Sequence, residues 1–407
     1  MTTPASEPHA VERLQRLSRG EPVALLLGSG WSQSLLCTEP VDALSLAAGA
    51  EIGAFELLEA FLERHRDRTC AGWLGYDLGR DVEAWPRAIA DDFEVPVLHM
   101  AAYRRAEPCA PVPLPPAPPT APARAFTAHT SRADYECRVA AVVEHIRSGD
   151  IFQANLSQPF SAQWDGDPRT LFWRLCEASP APFSAYVEDG NGTAVLSSSP
   201  EEFLFRDGSF VRTRPIKGTR PRGKDAASDA RLLHELLHSD KDLAELAMIV
   251  DLMRNDLGKV ARTGSVVVGR FPEHASFAHV HHLFATVTAE VDDSVTAGEL
   301  LRATFPGGSV TGCPKLRCLE ILEQIEIARR GVYTGAIGAF LPGGRMHCNV
   351  AIRTLVHRDG RIRANAGGGI TTLSDPAAEY DETRHKLAGM ERALQCRANA
   401  PDSESRR

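Results

Sequence analysis

Residues 349–370 read NVAIRTLVHRDGRIRANAGGGI, two mostly apolar runs on either side of an Asp359-Gly360 pair. Asp-Gly between β-type runs marks a two-residue type I′ hairpin, because both turn positions need the left-handed backbone these residues tolerate. Counting back from that turn pairs Arg358 with Arg361 and sets Arg353 opposite Ala366, beside Gly367. The stretch therefore predicts an antiparallel hairpin that brings a guanidinium next to bare glycine backbone.

Further strands are expected outward from the hairpin at YTGAIGAFL, HHLFATVTAEV, GSVVVGRF, FVRTRPIKGT and TAVLSSSPEEFLF. They are mixed irregularly with helical stretches rather than in a βαβ rhythm, so the predicted fold class is α+β with large, mainly antiparallel β-sheets. SRADYECRVAAVVEHIRSGD opens with Ser131 three residues before Asp134, a capping pattern, and carries a helical stripe of Tyr135, Val139, Val142 and Ile146. Residues 106–125 hold eight prolines in twenty positions, AEPCAPVPLPPAPPTAPARA, a composition suited to an extended linker. The expected organisation is a segment 1–105 of α+β type, a linker 106–125, and a larger domain 126–400.

Lys plus Arg total 45 against 53 Asp plus Glu, a net charge of -8, which disfavours a general nucleic-acid or anionic-membrane binder. No apolar run approaches the roughly 18 residues of a membrane span, and the first twenty residues lack a signal-peptide profile; a cytoplasmic location is expected. Nine scattered cysteines without a C-x-x-C pair argue against a disulfide framework or thiolate zinc site. HVHHLF offers His279, His281 and His282, but no further cysteine or histidine has fitting spacing for zinc.

Several constellations remain open on residues alone. DKDLAELAMIVDLMRNDLGKV has a helical apolar face at 243, 246, 250, 253 and 257, with Asp242 and Glu245 one turn apart on another stripe. SDPAAEYDETRHKLAGM reads as a second helix, Asp375 its N-cap and Pro376 its first residue, with Glu379, Glu382 and Lys386 on one side. These carboxylates are either solvated faces or oxygen ligands for Mg²⁺, which is usually held by one or two carboxylates plus an anionic ligand. FPGGSVTGCPKLRCLEIL is a glycine-rich loop entering a helix, either a turn or an anion site; it is not a Walker A loop. The glycines of ANAGGGI mark a bulge or a close backbone approach, and Arg353 a buried ion pair or a carboxylate clamp.

RTRPIKGTRPRG, residues 212–223, places Lys217 among four arginines. It is either an anion patch or the setting of a nucleophile. An amine with an ordinary pKa of about 10.4 must be depressed to attack at neutral pH, and Arg214, Arg220 and Arg222 are expected to disfavour its charge.

Taken in order, SGDIFQANLSQPF, SSSPEEF, RPIKGT, AELAMIVDLMRNDLG, VHHLF, PGGSVTGCPK, RRGVYTGAIG, VAIRTL, AGGGI and EYDETRHK resemble the chorismate-utilising enzymes over nearly all of residues 145–390. The resemblance implies a sandwich of large antiparallel sheets with helices packed outside. LLLGSG and GWLGYDLGR are similar to that family's N-terminal segment in outline, but LLLGSG departs from the LLES form of feedback-inhibited anthranilate synthases. PIKGT, rather than the PIAGT of anthranilate synthases, resembles the branch that aminates chorismate at C4, making the 4-amino-4-deoxychorismate from which 4-aminobenzoate and folate derive.

Carried over residue by residue, the resemblance implies that Lys217 attacks C2 of chorismate and that Glu201 is the general acid/base, with Glu202 at a variable position. It implies Mg²⁺ at Glu245 and Glu382, with Glu379 and Asp242 nearby. Tyr333 and Arg353 are implied to hold the enolpyruvyl carboxylate, and Gly367, Gly369, Ser309 and Lys386 to line the ring-carboxylate side, with His282 beside the ring. The chain shows no G-x-C-x-G glutaminase motif and nothing like a pyridoxal-phosphate lyase. Ammonia is thus expected from a separate glutamine amidotransferase subunit in a heterodimer, and 4-aminobenzoate from a separate aminodeoxychorismate lyase. The competing readings are anthranilate synthase component I on the same fold, isochorismate synthase, disfavoured by Gln153 where a lysine is needed, and a non-catalytic chorismate-binding homologue.

Overall fold

The computed structural model describes residues 9–86, 88–110, 116–117, 124–277 and 280–395. Among them, 17 strands join by hydrogen bonds into one continuous sheet and three more form a small one. Every strand pairing is antiparallel, from Val23–Leu27 with Phe183–Glu188 to Gln153–Gln163 with Arg361–Ile370.

Side-chain alternation explains the layering. Along Val23–Leu27, Ala24 and Leu26 enter a core made of facing sheet residues, among them Trp73, Tyr103, Ala185 and Ile337. Val23, Leu25 and Leu27 point the other way, onto a core shared with the helices Ala10–Arg16, Pro168–Ala178 and Pro376–Gln395. A third core packs Ala54–Arg64, Asp240–Gly258 and Ala297–Thr304 against the opposite outer face. The molecule is a sheet-on-sheet sandwich with helices outside, and a strand buried on both faces reads as an unbroken apolar run such as VALLL.

The hairpin forms in the expected register, Arg358 opposite Arg361 and Leu355 opposite Ala364, with Asp359 at φ 51° and Gly360 at φ 71°. The pairing stops short of Arg353, which adopts φ 50° and turns its chain toward the neighbouring strand, where Ser198 N–H donates to its carbonyl at 3.1 Å. The hairpin ladder ends at Leu355 opposite Ala364, so the expected Arg353–Ala366 pair does not form.

Strands of the first hundred residues are laid into the common sheet: Val23–Leu27 beside Phe183–Glu188, and Thr69–Leu74 beside Ala336–Leu341. The strand Leu98–Pro108 pairs with Leu35–Leu46 to its last residue, so Ala106–Pro108 at the head of the expected linker belong to the sheet. Residues 111–115 and 118–123 of that linker, and 396–400 at the end of the expected larger domain, lie outside the described residues. No helix among the described residues is long and apolar enough to cross a membrane.

Candidate active site

Two helices and four strands meet around a cavity of about 910 Å³. Asp240–Gly258 starts at Ser239, whose hydroxyl caps Asp242 N–H, and seats Leu246, Val250, Met253 and Leu257 in the core, leaving Asp242 and Glu245 toward the cavity. Pro376–Gln395 starts where Asp375 accepts from Ala378 N–H at 2.9 Å, and buries Leu387 and Met390. Glu379, Glu382 and Lys386 thereby also face the cavity. Glu201, Lys217, His282, Ser309, Tyr333, Arg353, Gly367 and Gly369 complete the set of sequence-selected residues, all of which line this one space.

Glu201 sits between two buried strands and is 4% exposed; Ser309 Oγ donates to its Oε1 at 2.6 Å. Burial lifts its pKa to about 7, against the pull of Ser309 and the Lys217 charge. Such a carboxyl can hold or release a proton near neutrality. Glu202, one residue on, points into the opposite layer, where Arg212 grips it at 2.8 and 2.9 Å. Strand alternation thus separates the two glutamates.

Lys217 lies within a strand irregularity between Ile216 and Thr219. Its Nζ lies 3.3 Å from the point a Cβ on Gly369 would occupy. Burial lowers its pKa, opposed by Glu245, Glu201 and Glu382 and assisted by Lys386. The arginines expected to produce this effect are occupied elsewhere: Arg220 pairs with Asp242 at 3.0 Å, Arg222 with Asp229 at 2.8 Å, and Arg214 stacks on Phe284. Desolvation, not the flanking cations, favours the neutral amine.

The glycines differ in what they accommodate. A Cβ on Gly367 would strike backbone of the Gln153–Gln163 strand, 2.9 Å from Ser157 Cα, whereas one on Gly369 would meet the Gln153 side chain and Lys217. A Cβ on Gly368 would stand 3.1 Å from Glu379 Oε2 and 3.3 Å from Glu382 Oε1, so those carboxylates converge over the strand. Lys386 ties the two elements together, donating to Gly367 O at 2.7 Å and pairing with Glu382 at 2.6 Å.

Burial raises the pKa of Glu245 and of Glu379, and neighbouring carboxylates add to both shifts. Burial also opposes ionisation of Glu382, but Lys386, Lys217 and Lys241 together outweigh it and the net shift is downward. Among the described residues no three His, Cys, Asp or Glu side chains form a closed metal cage. Asp242 is committed to Arg220, and Glu379 accepts from Ser374 Oγ at 2.6 Å. Glu245, and Glu382 with its Lys386 partner, offer hard oxygen donors from two helices that line the cavity, a set that fits Mg²⁺ completed by an anionic ligand and water rather than a cation held by protein alone.

On the opposite wall Arg353 pairs with no carboxylate among the described residues, and burial lowers its pKa. The alternative of an internal ion pair is therefore not realised. Burial, assisted by the Arg353 charge, lowers the pKa of His282 to about 3. That neutral ring shares a 2.8 Å hydrogen bond between Nδ1 and Thr219 Oγ1, while its buried Nε2 has no partner. Tyr333 is 6% exposed, and burial raises its pKa. His281 faces away, between Ser276 and Asp229, and His279 lies outside the described residues.

The glycine-rich loop contributes Ser309 and Val310, but its helix N-terminus does not reach the cavity. Gly312 and Cys313 are paired with the strand at Gln153, and Lys315 is drawn to Asp256 at 2.6 Å. Asn155, also on the wall, was missed; it stands in the quoted GDIFQANLSQPF, but an asparagine in a strand carries no signal of its own.

An unpaired guanidinium, a depressed amine, a glutamic acid poised near neutrality and facing carboxylates suit a small dianion carrying a leaving group. The model of the family described as chorismate binding enzyme matches residues 21–392. The chain is 40% identical over 338 residues to aminodeoxychorismate synthase component 1 of Salmonella typhimurium, covering 78% of this chain and 74% of that protein. It is 42% identical over 265 residues to anthranilate synthase component 1 of Streptomyces coelicolor, covering 65% and 52%. The crystal structure of anthranilate synthase component I from Streptococcus pneumoniae superposes with a TM-score of 0.78 at 26% identity, over 96% of this chain and 99% of that one. Fold, cavity and a match spanning almost the whole chain agree, and the chain belongs to the chorismate-binding enzyme family.

Proposed function

We propose that this chain is an enzyme that converts chorismate and ammonia to 4-amino-4-deoxychorismate. The observation that carries the reading is a desolvated Lys217 in the same cavity as Glu201, whose carboxyl titrates at about 7. Lys217 Nζ attacks C2 of the ring, the C1–C2 double bond moves to C1–C6 and the C5–C6 double bond to C4–C5, and the C4 hydroxyl leaves as water with the proton of Glu201. Ammonia then adds at C4, both double bonds shift back, the C2–N bond breaks to restore Lys217, and Glu201 takes a proton from the new amine. Atoms balance with water as the only other product.

Arg353 and Tyr333 receive the enolpyruvyl carboxylate, and Ser309, Lys386 and the glycine strand line the ring-carboxylate side. His282, held neutral, offers its free Nε2 beside the ring. Glu245 and Glu382 are the residues that would hold Mg²⁺, with Glu379 and Asp242 around them. When bound, the ion supplies positive charge that offsets the ring carboxylate and the acidic helices. Ammonia comes from the glutamine of a separate amidotransferase subunit, and the product passes to a separate lyase for 4-aminobenzoate.

The test is product analysis with chorismate, ammonium and Mg²⁺. Formation of 4-amino-4-deoxychorismate, yielding 4-aminobenzoate only after a lyase is added and lost when Mg²⁺ is chelated, is the expected result. Fluorescent anthranilate appearing without any lyase would reject the reading in favour of the anthranilate branch.

A further inference from the structure

Behind the cavity wall lies a buried cation that no step above uses. Arg330, in the RRGVYTGAIG stretch, is 4% exposed and contributes no atom to the cavity lining. Glu326 holds it through two hydrogen bonds, 2.9 and 2.8 Å, and that carboxylate also accepts from Ser157 N–H at 2.8 Å and Ser157 Oγ at 3.0 Å. The remaining guanidinium hydrogens go to Val310 O at 2.8 Å, Thr334 Oγ1 at 3.3 Å and Asn155 O. The ring of Tyr76, from the N-terminal glycine-tyrosine bend, lies 4.4 Å beneath the guanidinium carbon.

Each acceptor belongs to a different wall segment. Val310 adjoins Ser309, which donates to Glu201. Asn155 and Tyr333 both line the cavity, so fixing the Asn155 backbone and the Tyr333 turn sets two residues of the same wall. Thr334 is held at φ 61°, and Tyr333 N–H donates to Arg330 O at 3.0 Å. A planar fork reaching three segments at once is something a lysine, with a single donor head, cannot reproduce.

We infer that Arg330 is a positioning residue for the substrate: with Glu326 as counter-charge, it locks Asn155, Val310 and the Tyr333 turn in one register, so that the phenol faces the ligand's carboxylate. The inference rests on the reading that chorismate occupies this cavity. Arg330 touches no ligand; it acts through Asn155 and Tyr333.

The readout is chorismate affinity by calorimetry with Mg²⁺, in a Lys217→Ala background so that no covalent step contributes. Arg330→Lys is expected to fold and to bind about tenfold more weakly, the loss of roughly one hydrogen bond to a charged group. Tyr333→Phe is expected to cost a similar factor alone but little in the Arg330→Lys background, because both changes remove the same contact. A general packing defect would leave the two losses additive. Should Arg330→Lys fail to fold, the Arg330→Gln/Glu326→Gln double variant removes both charges together and is read in the same way. Undiminished binding or additive losses would overturn the inference alone. Absence of binding by the Lys217→Ala parent would reject the reading beneath it as well.

Discussion

Glu201 shows what a functional carboxyl costs its own fold. Its pKa stands at about 7 against an ordinary 4.5, so the folded state holds a proton that the unfolded chain releases. Stability contributed by that proton is full below the unfolded value and falls as pH rises through the folded one, by on the order of 3 kcal/mol. Glu201→Gln, which imitates the protonated acid, is therefore expected to be more stable than the parent at about pH 8 and to lose that advantage toward about pH 4, as urea unfolding would measure. A stability difference independent of pH would contradict the assignment. At this scale the sequence supplied identities and not causes. Lys217 was legible as an anomaly, yet the arginines around it are spent on Asp242, Asp229 and Phe284, and only three dimensions reveal burial as the origin of its shift.

The glycine strand separates structural from chemical demands within a single element. Gly367 is crowded by backbone, which cannot yield, whereas Gly369 is crowded by the flexible ends of Gln153 and Lys217. Gly367→Ala is expected to destabilise the protein by about 1–3 kcal/mol or to prevent folding. Gly369→Ala should fold with nearly parental thermal stability and lose most turnover, because the added methyl displaces the Gln153 side chain and stands against the Lys217 amine beside it. Equal stability losses from both substitutions would contradict this division. Turn chemistry, one cap and one apolar stripe made the hairpin and both carboxylate helices readable, since Asp359-Gly360, Asp375 and the face at 243, 246, 250, 253 and 257 are local signals. The departure of Arg353 from its ladder was not readable, because a neighbouring strand imposes it.

Across the whole molecule, local pattern gave the α+β class, but not how the segments before and after the prolines combine. Alternation inside VALLL or TCAGWL cannot be seen when both faces are apolar, and one of the two partners of each strand lies more than a hundred residues away. Because Thr69–Leu74 pairs with Ala336–Leu341 and Tyr76 lies under Arg330, residues 126–407 expressed alone are expected to lack a cooperative thermal transition. A cooperatively unfolding fragment that binds chorismate would show that the earlier segment is dispensable. The central claim, a covalent bond between Lys217 and C2 of chorismate, is reached most directly by mass spectrometry of the intact chain. With chorismate and Mg²⁺ present and ammonia withheld, the account predicts an adduct of chorismate less one water on the Lys217 peptide, discharged when ammonium is added. An unmodified Lys217 in protein that turns over as soon as ammonium is supplied would contradict it.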